Sequence, residues 1–152
     1  LSPALFAILS QSSKLTRLRR LRLSDQGFGM FVLDELFQSP RLNQLESFAM
    51  RSCGLHPLAA DLLVVQLQVS RLERLDLSSN RLDDESALAL VTAEHLPLRY
   101  LQLSRNQVTP SCQAEVARIA QQRQITVWAE EQEEPRDEGP TQFAHLRRRH
   151  EA

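Results

Sequence analysis

One lysine, two cysteines, four glycines, one tyrosine and one tryptophan occur among 152 residues, and each scarcity closes off a class of protein. Two cysteines, Cys53 and Cys112, are too few for a disulfide framework, and no asparagine opens an N-x-Ser/Thr acceptor. Both observations point to a reducing compartment, cytoplasmic or nuclear. No apolar run approaches the roughly 18 residues a membrane-spanning helix needs, and no signal peptide opens the chain. Gly27 and Gly29 flank Phe28 in a strand-to-helix context but lack the third glycine and the lysine of a phosphate loop, so a turn is their expected role. Cys53 and His56 have the spacing of half a zinc site with no second half, and His95 is expected to bond a helix-terminal carbonyl. HExxH, GxSxG and paired Cys–His nucleophile patterns are missing. No catalytic residue, metal, cofactor or small-molecule substrate is therefore expected.

What the chain has in quantity is leucine at fixed spacing. The stretch LERLDLSSNRL places Leu72, Leu75, Leu77, Asn80 and Leu82 at positions 1, 4, 6, 9 and 11 of a unit LxxLxLxxNxL. The template fits three more times: Leu18, Leu21, Leu23, Gln26 and Phe28; Leu45, Phe48, Met50, Cys53 and Leu55; Leu98, Leu101, Leu103, Asn106 and Val108. The units therefore start at Leu18, Leu45, Leu72 and Leu98, a near-constant period that marks stacked supersecondary units.

Each position has a mechanical reason. Positions 4 and 6 lie two apart and so share one face of a strand, while 3, 5 and 7 face the other way. Position 9 follows the strand, where the backbone loses its ladder partners and a side-chain amide can replace them. Asn80 and Asn106 suit that role, and Cys53 offers a weaker donor. Parallel strands stack about 4.8 Å apart whereas helices need about 10 Å, so such an array must curve with its strands inside.

In these features the chain resembles the leucine-rich repeat superfamily, and its repeat length with one helix per unit is similar to the ribonuclease-inhibitor type. The resemblance runs from about residue 2 to residue 128. It implies an α/β solenoid, a partial horseshoe with parallel strands on the concave side and helices on the convex side. It is specific for fold and nearly silent on partner, since the superfamily includes inhibitors, GTPase activators, ubiquitin-ligase substrate receptors and the sensor ends of NACHT-type receptors.

The helices follow from their end signals. Ser2 and Pro3 open an expected helix with Leu5, Phe6, Ile8 and Leu9 as its buried stripe, closing a partial first repeat and implying a longer polypeptide upstream. Further helices are expected near 29–38, from Pro57, after Asp83, Asp84 and Glu85, and after Thr109 and Pro110. Gln124 to Trp128 reads as a terminal half-repeat without its position-9 amide, which ends the repeat domain at residue 128. Residues 129–152 form a charged tail, acidic over AEEQEEPRDEGP, with a short helix expected over 141–150. Residues 1–128 carry 14 basic against 12 acidic side chains, and residues 129–152 carry 4 against 7.

The outward columns hold the functional information. Position 3 carries Arg20, Ser47, Arg74, Tyr100 and Gln124; position 5 Arg22, Ala49, Asp76, Gln102 and Thr126; position 7 Ser24, Arg51, Ser78, Ser104 and Trp128. A basic sub-region of Arg17, Arg19, Arg20 and Arg22, with Arg51 and Arg74 nearby, suits an acidic partner segment; the alternative is a solvated face balanced by Glu46, Glu73 and Asp76. A second sub-region joins Tyr100, Trp128 and Arg105, residue types that dominate binding hot spots; the alternative is a Trp128 lid over the last repeat. The expected partner-binding set is Arg20, Arg22, Arg51, Arg74, Asp76, Tyr100, Gln102, Arg105 and Trp128. The leading expectation is a concave-face protein-interaction module within a larger scaffold, sensor or adaptor. One alternative is the substrate-receptor part of a ubiquitin ligase, which the single lysine, Lys14, suits no better than codon bias does. Another is nucleic-acid binding through Arg17 to Arg22, weakened by the acidic tail and by having only Tyr100 and Trp128 as concave aromatics.

Overall fold

A computed structural model describes residue 11 and residues 17–40, 42–67 and 71–133. The expected helices at Ser2 to Leu9 and over 141–150 lie outside the described residues. Strands and helices alternate: β1 (Arg20–Ser24), α1 (Met30–Gln38), β2 (Ser47–Arg51), α2 (Pro57–Gln66), β3 (Arg74–Asp76), α3 (Asp84–Thr92), β4 (Tyr100–Gln102), α4 (Pro110–Arg123) and β5 (Thr126–Trp128), with a 3-10 turn at Leu42–Gln44 before β2. The five strands form one open parallel sheet in chain order. Each helix packs on the next, so sheet and helices make two layers around a leucine core. This is an α/β leucine-rich repeat solenoid.

The leucine spacing puts the core where the alternation requires it. Phe48, Leu75 and Leu101 at position 4, and Leu23, Met50, Leu77 and Leu103 at position 6, are buried in one core with Leu33, Leu63, Leu90 and Val116 of the helices. Helix starts follow their end signals: Asp83 caps α3 by accepting from the Ser86 N–H, Thr109 caps α4 by accepting from the Cys112 N–H, and Pro57 and Pro110 open their helices. Asp84 and Glu85 occupy the first turn of α3, where the helix dipole favours acids.

The turn after each strand is built alike. Position 8 is Asp25, Ser52, Ser79, Arg105 and Glu131, and all five have φ between 51° and 57°, the left-handed region, without a glycine among them. Gly27 and Gly29 are therefore not the turn residues of their repeat; Asp25 is. The left-handed residue turns its N–H towards the next repeat, so that Asp25 donates to Arg51 O, Ser52 to Ser78 O, Ser79 to Ser104 O and Arg105 to Glu130 O.

Position 9 then closes the turn of the repeat before it. Asn80 Oδ1 accepts from the Cys53 and Leu55 N–H groups at 3.0 and 3.1 Å, while its Nδ2 donates to Met50 O and Leu77 O at 2.7 and 2.9 Å. Asn106 Oδ1 accepts from the Leu82 N–H, and its Nδ2 donates to Leu77 O and Leu103 O. The Cys53 thiol does the same duty with one donor, reaching Leu23 O and Arg51 O at 3.7 and 3.2 Å.

The last unit corrects the sequence reading. Gln132 supplies the position-9 amide expected to be absent: its Oε1 accepts from the Asn106 and Val108 N–H groups, each at 3.1 Å, and its Nε2 donates to Leu103 O and Ala129 O. Register agrees, with Tyr100 opposite Thr126, Leu101 opposite Val127 and Gln102 opposite Trp128. Thr126 and Trp128 thus occupy positions 3 and 5, not 5 and 7, and the turn of the fifth unit runs on past residue 128. The longer amide of glutamine spans the same gap that asparagine spans elsewhere.

Candidate functional site

The outward face of the sheet carries a groove of about 260 Å³ whose lining includes Arg22, Arg51, Arg74, Tyr100, Gln102 and Trp128. Asp76 joins them on the same wall, while Ser47 and Ala49 make the floor over β2. Seven of the nine residues singled out from the sequence are brought together here. Arg20 stands exposed on β1 beside the groove rather than in it. Arg105 is separated by the backbone: its position-8 conformation carries it off the strand face, and its Nε bonds Glu131 Oε2 at 3.0 Å in an exposed pair.

Arg74 takes the place beside Tyr100 that was expected for Arg105. Its guanidinium carbon is 4.3 Å from the Tyr100 ring centroid, a cation–π distance. Tyr100 in turn stacks on Trp128, with centroids 6.1 Å apart and planes inclined by 11°. The stack exists because Trp128 sits at position 5, one strand along and one step diagonal from Tyr100. Trp128 retains 42% exposure and is one of two large apolar side chains that remain open to solvent among the described residues, the other being Val65 on the helical side. It lies on β5 opposite Gln102, with its ring against that of Tyr100.

Charge in the groove is unevenly satisfied. Asp76 Oδ2 pairs with Arg51, whose Nε donates at 2.6 Å, and Asp76 Oδ1 accepts from the Ser78 N–H and hydroxyl at 3.1 and 2.7 Å. Among the described residues, no carboxylate pairs with Arg20, Arg22 or Arg74, whereas Arg19 turns to Glu46 at 3.5 Å. The Arg17 to Arg22 cluster is thus divided, with only Arg20 and Arg22 at outward strand positions. Ser47 and Ala49 were readable as column members but not as site residues, because small side chains carry no chemical signature; their role emerges from what flanks them.

Residues considered for other chemistry have structural partners. His95 Nε2 lies 2.8 Å from Val64 O in the last turn of α2. Burial pushes the Cys53 thiol up, with Asp25 adding to the effect against a backbone hydrogen bond from Gln26 that lowers it. Burial, reinforced by the Asp84 carboxylate, pushes Cys112 up to about 11. No group of three His, Cys, Asp or Glu side chains able to hold a metal occurs among the described residues, nor does a helix long and apolar enough to cross a membrane.

Comparison with known proteins agrees with this architecture. Residues 71–91 match a family model for a leucine-rich repeat. The chain is similar in structure to a crystallised protein from Bacteroides fragilis at a TM-score of 0.61 and 20% sequence identity, over 78% of this chain and 35% of that one. It therefore spans about a third of that protein's length. No curated protein matches the sequence significantly. With its repeats stacked in register, its position-9 side chains bonded between units and a repeat model matching its third unit, the chain has the leucine-rich repeat fold.

Proposed function

We propose that the chain is a non-catalytic recognition module, of the ribonuclease-inhibitor-like type, that binds another protein through the groove on the strand face. In this reading it serves as the recognition portion of a scaffold, sensor or adaptor in the cytoplasm. The observation that carries it is the Arg74, Tyr100 and Trp128 stack: two aromatic rings and a guanidinium, aligned in a groove and left half open to solvent. Aromatic and arginine side chains of this kind anchor protein interfaces because they bury much area with little loss of side-chain freedom. The even spacing of the repeat starts, with a full helix in each complete unit, supports the subtype.

The test is affinity capture from cytosol with the intact chain, its Tyr100→Ala and Trp128→Ala variants, and a helical-face control, Val65→Glu. Each groove substitution should weaken the captured partner by more than about 1 kcal/mol, with circular dichroism unchanged and the control unaffected. Capture that survives both groove substitutions rejects the groove as the recognition surface.

A further inference from the structure

We infer that the floor of the groove over β2 is a carboxylate subsite, so that the partner presents an acidic side chain on an extended segment. This rests on the groove being the recognition surface and adds the chemistry of what enters it. Along the sheet, Arg22, Ala49 and Asp76 stand abreast, as do Arg20, Ser47 and Arg74. Between two strands bearing long side chains, β2 offers only a hydroxyl and a methyl group at positions 3 and 5, before Arg51 at position 7. The result is a notch one strand wide over Ser47 and Ala49, flanked by Arg22 and Asp76 at one level and by Arg20 and Arg74 at the other, with Arg51 at its end and the Arg74 guanidinium lying over Tyr100.

The charges around that notch do not close among themselves. Asp76, the one acid in the lining, has both oxygens engaged by Arg51 and Ser78. Arg22 and Arg74 keep their guanidinium charges without a carboxylate among the described residues. A partner that covered them with apolar surface would strand two desolvated cations, which is strongly unfavourable. A partner carboxylate lowered between them removes that cost and gains charge-assisted, bidentate geometry.

The same layout disfavours a phosphate backbone. Unpaired arginines in outward columns stop at β3, after which the columns continue with Tyr100, Gln102, Thr126 and Trp128. A nucleic-acid strand needs successive cations along its track, whereas one acidic side chain needs one notch. From β2 to β4 is two strand spacings, about 10 Å, and an extended peptide rises about 3.3 Å per residue. Side chains of an extended peptide alternate faces, so an acidic residue in the notch puts the side chain four positions away, about 13 Å along, onto the Tyr100 and Trp128 stack. The partner pattern is an Asp or Glu separated by that distance from a bulky apolar residue.

The experiment uses the full chain and an array of short extended peptides, each carrying one Glu and one Leu or Trp at spacings from one to six. Matched peptides carry Gln in place of Glu. Glu peptides at a spacing of four should bind roughly tenfold more tightly than their Gln counterparts. Ala49→Leu, which fills the notch, and the Arg22→Gln, Arg74→Gln double variant should each abolish that ratio, while Tyr100→Ala weakens Glu and Gln peptides alike. Equal binding of Glu and Gln peptides, a preference that survives Ala49→Leu, or tighter binding of a single-stranded oligonucleotide in competition overturns the subsite. Loss of the cytosolic partner on Tyr100→Ala together with no Glu preference removes the subsite alone. Retention of that partner with no Glu preference removes the groove as well.

Discussion

Gln132 stands over the turn of Asn106 as Asn80 stands over the turn of Cys53, accepting from the Asn106 N–H at 3.1 Å where Asn80 accepts from the Cys53 N–H at 3.0 Å. The two amides differ in burial, and this sets their energetic weight. Asn80 is buried with its oxygen and nitrogen both engaged by backbone. Asn80→Ala strands two backbone N–H groups and two or more carbonyls at about 1 kcal/mol apiece, and should cost about 4 kcal/mol. Gln132→Ala, at the half-exposed end, should cost about 1 kcal/mol. Urea denaturation of both variants checks the order; a larger loss at Gln132 contradicts it.

The inward and outward positions of one strand separate in the same assay. Leu75→Ala and Leu77→Ala, both buried, should cost about 2 to 5 kcal/mol. Asp76→Ala lies between them and should cost about 1 kcal/mol or less, since it loses an exposed ion pair and the Ser78 hydrogen bonds. A reversal of that ranking is incompatible with the described packing.

Position 8 makes a prediction about backbone rather than contacts. Ser79 holds φ at 57°, where a side chain costs about 1 kcal/mol and a β-branched one more. Ser79→Gly should leave the denaturation midpoint nearly unchanged, relief of strain offsetting the greater freedom of the unfolded chain. Ser79→Val, which forces a branched side chain into the left-handed region, should lower stability measurably in the same denaturation series.

Cys112 links stability to alkaline pH. Its thiol is raised from about 9 to about 11 by burial and the nearby Asp84 carboxylate. A folded-state value above the unfolded one contributes stability that is fully present below pH 9 and is lost as pH climbs towards 11. Denaturation midpoints across that interval should fall, and Cys112→Ala should flatten the fall. The same shift should make native Cys112 slow towards thiol reagents at neutral pH, with fast labelling once denaturant is added.

Trp128 is the one tryptophan of the chain, so its fluorescence reports the groove alone. Occupancy of the groove should shift its emission to the blue and protect it from acrylamide. A partner that binds tightly and leaves that emission unchanged binds elsewhere.

The architecture was legible where leucine carried it. Leu75, Leu77, Leu101 and Leu103 announce strand, face and register because few other arrangements bury two leucines at that spacing. Val127 and Ala129 at the equivalent positions of the fifth unit are smaller and only partly buried, and Gln132 stands where asparagine is the usual marker. The fifth unit therefore reads two positions out of register from sequence. A slip of two preserves which side chains face outward, since the strand period is two, but it moves Trp128 from the neighbourhood of Ser104 to that of Gln102 and Tyr100. Hence most of the groove's residues, and the place of Arg74 beside Tyr100 in one column, were foreseeable while the stack of Trp128 on Tyr100 was not. Arg105 misled for another reason: proximity in sequence to the strand says nothing of a left-handed residue that redirects the side chain.

Each amide in the ladder finishes the turn that precedes it, never the one that follows. On a ribosome, where the chain emerges from its amino-terminal side, every turn consequently waits for one whole further repeat to be made before its closing group arrives. Nascent units of this protein must queue, with the most recent always unfinished, and a stall in translation leaves a molecule whose loose end is the newest one.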